Sequence, residues 1–156
     1  MNRKHFFAAV ILLSLLVMGL QLAYAEVEPT VTTVTIDIRP NDSDNIVNIN
    51  PGSHGVVPVA IYGNSTVNVT LLTSENIESI YLTDNTQVAQ VHLRGNDIPL
   101  YQIKDLDNDE NLDLVVYIDV YNFNVEEGEV PVFLYGPYVQ GAWIVGKDFV
   151  NIVPSN

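Results

Sequence analysis

The chain has 156 residues, no cysteine and a formal charge of −13 at neutral pH. That length suits one domain of ordinary size. The acidity sets nucleic acid and anionic lipid aside as partners, and the missing thiols exclude both disulfide staples and a lipid-bearing cysteine.

Arg3, Lys4 and His5 precede an uncharged apolar run, Phe6 to Leu20, and Ala23 and Ala25 follow in an A-x-A arrangement. This predicts a secretory signal peptide over 1–25, cut between Ala25 and Glu26, and a secreted, extracellular or cell-surface protein. The competing reading is an uncleaved anchor, because the run is just long enough to span a bilayer. After cleavage no spanning segment would remain. All nineteen acids lie beyond residue 25, against four bases, Arg39, Arg94, Lys104 and Lys147. Residues 26–33 read as a flexible lead-in or an exchanged strand, and 34–156 as the folded domain.

From there, apolar residues alternate with polar ones and β-branched types dominate, the pattern of half-buried strands. Val34, Ile36 and Ile38 share one face, as do Val57, Val59 and Ile61, with Pro58 pointing to an edge or a bulge. Val67, Val69 and Leu71 are expected to align on another strand. Ser74 is expected to cap one helical turn that turns Ile77 and Ile80 inward. The run 112–120 places Leu112, Leu114, Val116, Ile118 and Val120 on one face. The segments 87–94, 129–135 and 148–153 continue the pattern, and Gly, Pro, Asn and Asp clusters punctuate it. Seven or eight short strands predict an all-β fold: a single antiparallel β-sandwich, Ig-like in general architecture, with at most one short helical turn.

One stretch, DLDNDENLD at 105–113, does not fit simple alternation. Its acids Asp105, Asp107 and Asp109 are spaced by two, so a tight loop turns them toward one point, with Asp113 closing from the next strand. Calcium takes six to eight oxygens in flexible geometry, and the carbonyl of Asn111 is a natural further ligand. Magnesium keeps its waters and fits less well, and transition metals favour His or Cys. The position that would carry the bidentate Glu of an EF-hand is Val116, so this is not one. The spacing looks like the D-x-D-x-D-G-x-x-D loops of integrin-type propeller repeats, with Glu110 where those carry Gly for a positive φ. The bland alternative is a solvated acidic loop.

Taken with its flanks, this loop resembles part of a module recurrent in secreted bacterial and archaeal proteins. IDIRPNDSDNIVNINPGSHGVVPVAIYG (36–63) is similar to its I-D-I-x-P…P-V-A-I opening, IKDLDNDENLDLVV (103–116) to its aspartate-rich middle, and LYGPYVQGAWIVGKDFVNIV (134–153) to its I-x-G-x-D-x-V-x-I-V close. The resemblance implies a secreted calcium-binding β-sandwich, with Asp105, Asp107, Asp109, Asn111 and Asp113 as the metal site and no catalytic activity.

Three N-glycosylation sequons begin at Asn41, Asn64 and Asn68. Tyr135, Tyr138 and Trp143, with Tyr121 and Phe123, offer a candidate sugar-stacking platform, the alternative being core and rim packing. No enzymatic constellation appears. No nucleophile elbow is present, His54 and His92 lack a motif, and Glu126, Glu127 and Glu129 read as a solvated turn. The expectation is a non-enzymatic, calcium-binding structural module, forming homo-oligomers or polymers by exchange of residues 26–35. A carbohydrate-binding or adhesive module that takes polysaccharide is the alternative.

Overall fold

A computed structural model describes residues 29–49, 55–120 and 128–154. The proposed signal peptide, its cleavage site, His54, Tyr121, Phe123, Glu126 and Glu127 lie outside the described residues. Strands make up 51% of the described residues, so the fold is all-β. Among the described residues, no helix is long and apolar enough to cross a membrane.

Two sheets carry the fold. The first has the order β1-β12-β11-β5-β6, formed by Val31–Thr33, Trp143–Pro154, Gly128–Pro137, Tyr81–Thr83 and Val88–Gln90, and β3 (Ile46–Ile49) also pairs with β12. The second has the order β2-β4-β10-β9, formed by Ile36–Ile38, Val56–Ile61, Asp113–Asp119 and Tyr101–Lys104. A two-stranded ribbon joins β7 (Leu93–Arg94) to β8 (Ile98–Pro99). Alternation drives the packing: Ile36, Ile38, Val59, Ile61, Leu114, Val116 and Ile118 of the second sheet meet Val132, Leu134, Ile144, Val150 and Ile152 of the first in one buried cluster. The approach is close at Gly146, where an added Cβ would lie 2.4 Å from the side chain of Ile36. Fully burying each such aliphatic side chain contributes about 1.5–3 kcal/mol.

Several local expectations are corrected. The sheets are not wholly antiparallel, since β12 takes both β1 and β3 as parallel neighbours. Val31–Thr33 is therefore an edge strand of its own sheet, in register with Trp143–Val145, and strand structure begins before residue 34. Pro58 lies in the middle of a sheet rather than at its edge, paired with Tyr117. Its carbonyl accepts the Arg39 N–H at 2.8 Å, just where β2 has ended in a residue of φ 59°. The missing N–H thus faces the end of the neighbouring strand and interrupts no ladder bond.

The segment 64–72 is not a strand. Asn64 Oδ1 accepts the N–H groups of Thr66 and Val67, and Asn68 caps a 3-10 turn at Val69–Leu71 by accepting from Thr70. Side-chain oxygens that satisfy nearby backbone donors compete with a ladder, and here they prevail. Val67 and Val69 are still buried, whereas Leu71 is exposed and Leu72 takes its place in the core. The helical turn α1 (Ser74–Glu78) is capped by Thr73, with Asn76 reciprocating, rather than by Ser74. Ile77 and Ile80 do turn inward. Leu112 precedes the start of β10 and is exposed.

Candidate metal centre

The acidic loop joins β9 to β10, two strands paired from Asp113–Lys104 to Val116–Tyr101. Closing so short a connection requires left-handed backbone, and Asn108 (φ 62°) and Glu110 (φ 71°) supply it. Glu110 therefore does occupy the conformation that glycine favours, at a cost of about 1–2 kcal/mol. The carboxylates organise the turn through its amides. Asp105 accepts the Asn108 N–H at 2.8 Å through Oδ1 and the Glu110 N–H at 3.2 Å through Oδ2. Asp107 accepts the Asp109 N–H at 3.3 Å, and Asp109 accepts the backbone and side-chain N–H groups of Asn111 at 2.8 and 2.9 Å.

This wiring brings Asp105, Asp107 and Asp109 together, with one carboxylate oxygen of each within 4.8 Å of the others. Ligands at 2.3–2.6 Å from a calcium ion lie at most about 5 Å apart, so the three oxygens fit one coordination sphere. The cluster can hold a metal ion. Its electrostatics point the same way: the Asp107 carboxyl is raised above its usual 3.8, by partial desolvation and then by the charges of Asp109, Asp113 and Asp105. Asp109 is lowered, chiefly by the Asn111 side chain and then the Asn111 amide.

Asp113 stands apart from that triplet. It is fully buried, its Oδ1 accepts the Gly63 N–H at 2.8 Å and its Oδ2 accepts the Leu106 N–H at 2.7 Å. Each oxygen keeps a further lone pair, but both are already committed to positioning backbone. Asn111 donates its side-chain NH2 to Asp109, which leaves its Oδ1 and its backbone carbonyl as oxygens to offer a metal.

Gly63, Tyr62 and Asp37 were not readable as site residues. A Cβ on Gly63 would lie 2.1 Å from the Leu112 carbonyl oxygen, which is why glycine lets the two segments touch. Tyr62 donates to Asp37 at 3.2 Å. Burial, then the Asp37 charge and that hydrogen bond, with smaller contributions from Asp113 and Asp107, push the Tyr62 hydroxyl up to about 12. A cavity of about 400 Å³ beside the loop is lined by Asn64, Asn68, Glu110 and Asn111 among others. The sequon residues Asn41, Asn64 and Asn68 are all exposed.

Among the described residues, the candidate platform is incomplete. Tyr138 is buried, and its hydroxyl accepts the Asn68 N–H at 2.9 Å, so it belongs to the core. Trp143 is exposed on the opposite side of its strand from the buried Ile144. His92 lies 3.6 Å from Asp119. No family model, no curated protein and no solved structure matches the chain.

Proposed function

We propose that the protein is a secreted, non-enzymatic β-sandwich that binds calcium and serves as a structural module of the cell surface or extracellular matrix. One observation carries the metal reading: three carboxylates converge within 4.8 Å at the tip of the β9–β10 connection. Calcium is favoured over magnesium because several charged protein oxygens converge on one point, and calcium accepts such a set in irregular geometry whereas magnesium keeps several of its waters. The ligands from this chain are Asp105, Asp107 and Asp109, with the Asn111 carbonyl and Asp113 as further donors. Bound calcium would neutralise the repulsion among Asp105, Asp107 and Asp109 and would fasten the start of β10. Secretion and a surface role rest on the N-terminal pattern and on the acidity of residues 26–156.

Strand exchange is not part of this proposal, because Val31–Thr33 is already seated on β12 of its own chain. The sugar-platform alternative loses Tyr138 to the core. Calorimetric titration with calcium and, separately, magnesium tests the metal reading. One calcium site, weakened by Asp107→Ala and much weaker for magnesium, is the expected result. No heat and no change in melting at millimolar calcium would refute it.

A further inference from the structure

The cavity of about 400 Å³ beside the acidic loop is walled by two segments. Asn64, Ser65 and Asn68 come from the turns after β4, and Glu110, Asn111 and Leu112 from the loop before β10. Its carboxamides are held in place by bonds at one end. Asn64 Oδ1 accepts the N–H groups of Thr66 and Val67 at 2.8 and 2.9 Å. Asn68 Oδ1 accepts the N–H and the hydroxyl of Thr70 at 3.0 and 2.7 Å. Asn111 is held from its other end, its Nδ2 donating to Asp109 at 2.9 Å. Each side chain therefore has one end left over. Nδ2 of Asn64, Nδ2 of Asn68 and Oδ1 of Asn111 have no partner among the described residues.

Glu110 adds an independent observation. Its φ of 71° is backbone that glycine adopts without strain. The turn uses only its N–H, which donates to Asp105, so folding requires no side chain at this position. What glutamate adds is a carboxylate on the cavity wall. A strained residue whose side chain lines a cavity points to function.

These groups select the chemistry of the occupant. Two NH2 donors stand with two acceptors, Asn111 Oδ1 and the Glu110 carboxylate. An ammonium ion only donates, and a carboxylate only accepts, so neither satisfies both kinds; a hydroxyl does so through a single atom. Anions also meet the charge of Glu110 and of the neighbouring Asp105, Asp107 and Asp109, and no base lines the cavity. Leu112, 45% exposed, offers apolar contact to ring C–H groups. The volume is toward the lower end for small-molecule sites and suits a unit of sugar size. We propose that this cavity binds a neutral hexose unit of a polysaccharide, its adjacent hydroxyls bridging the carboxamides and Glu110. The site is separate from the aromatic residues and does not rest on bound calcium.

Amide proton–nitrogen correlation spectra of the protein in EDTA provide the test, and EDTA separates its failure from that of the metal reading. Methyl mannoside, methyl glucoside or methyl galactoside is added to about 50 mM, which spans weak millimolar binding. The expected result is a saturable shift of the Asn64 and Asn68 side-chain NH2 signals with at least one glycoside, and several-fold weaker binding of glucuronate. Glu110→Gly should weaken glycoside binding about tenfold or more, the loss of a charge-assisted bond. Its melting temperature should be equal or higher, because the left-handed strain is relieved. If that melt falls instead, Asn68→Ser makes the test, since serine keeps an acceptor for the Thr70 amide and lacks the NH2. No shift with any glycoside would overturn the proposal, as would shifts confined to residues outside the cavity. So would binding unchanged in both variants, or glucuronate binding as tightly as the neutral sugars. A response that appears only when calcium replaces EDTA would put the hydroxyls on the ion and overturn it too.

Discussion

Asp113 holds Gly63, fifty positions earlier in the chain, through a 2.8 Å hydrogen bond from the Gly63 amide to Oδ1. Its other oxygen holds the first turn of the acidic loop at Leu106. One buried carboxylate thus ties the end of β4, the loop and the start of β10 together. Charge-assisted bonds of this kind contribute about 1.5–3 kcal/mol each, and their loss leaves buried donors unpaired. Asp113→Ala should therefore destabilise the fold by roughly 3 kcal/mol, within the range for breaking such a network. Urea denaturation should give this loss with calcium present and with calcium removed, which marks Asp113 as an anchor first.

Gly63→Ala tests the contact beneath that bond. The added methyl would meet the Leu112 carbonyl oxygen at 2.1 Å, and that oxygen is backbone, so the strand ends must part. Overpacking typically costs about 1–3 kcal/mol. The expected outcome is a lowered urea midpoint with an unchanged slope, and weaker calcium binding because the loop base has moved. Wild-type stability would show that the two segments do not touch.

Calcium should raise the melting temperature, and EDTA should lower it. At a free concentration one hundred times the dissociation constant, linkage adds about 2.7 kcal/mol. Asp107→Ala should abolish that increment while leaving metal-free stability unchanged or slightly higher, since it removes a repelled charge. Scanning calorimetry with and without calcium distinguishes this pattern from that of Asp113→Ala.

The pH dependence has opposite signs at two neighbouring carboxyls. The folded-state pKa of Asp107 is raised, so in metal-free protein its favourable contribution is present at low pH and lost as pH rises through that raised value, above 3.8. That of Asp109 is lowered, so its contribution is present above 3.8 and lost as pH falls through the lowered value. The difference in melting between wild type and Asp107→Asn isolates the first: without metal the variant should gain on wild type as pH rises. With calcium the order should reverse, because the ion replaces the proton, and calcium affinity should fall as the medium is acidified.

Much of this architecture is legible in period-two alternation. Ile36, Ile38, Val59, Ile61, Leu114, Val116 and Ile118 are all buried, as their spacing requires. The stretch 64–72 alternates as well, yet it folds as turns, because Asn64 and Asn68 bond their own neighbours more readily than a partner strand. Alternation reports which residues are apolar, and Val67 and Val69 do reach the core by that other route. The acid spacing likewise identifies Asp105, Asp107 and Asp109 as neighbours. What it cannot reveal is the commitment of Asp113, whose partners are the amides of Gly63 and Leu106. A backbone N–H looks the same at every position, so only the fold discloses which one a carboxylate meets.

The long strand β12 has a consequence for when the protein can form. It is made after every other described strand, yet Val31–Thr33 and Ile46–Ile49 both take their parallel pairing from it. A growing chain therefore carries these two β-branched segments unpaired across the synthesis of about a hundred residues, and pairings so distant in sequence close slowly. During that interval a second nascent chain is the nearest alternative partner for their exposed edges. Most of the acids are already in place by then, and their mutual repulsion holds nascent chains apart until Trp143 and the residues after it arrive.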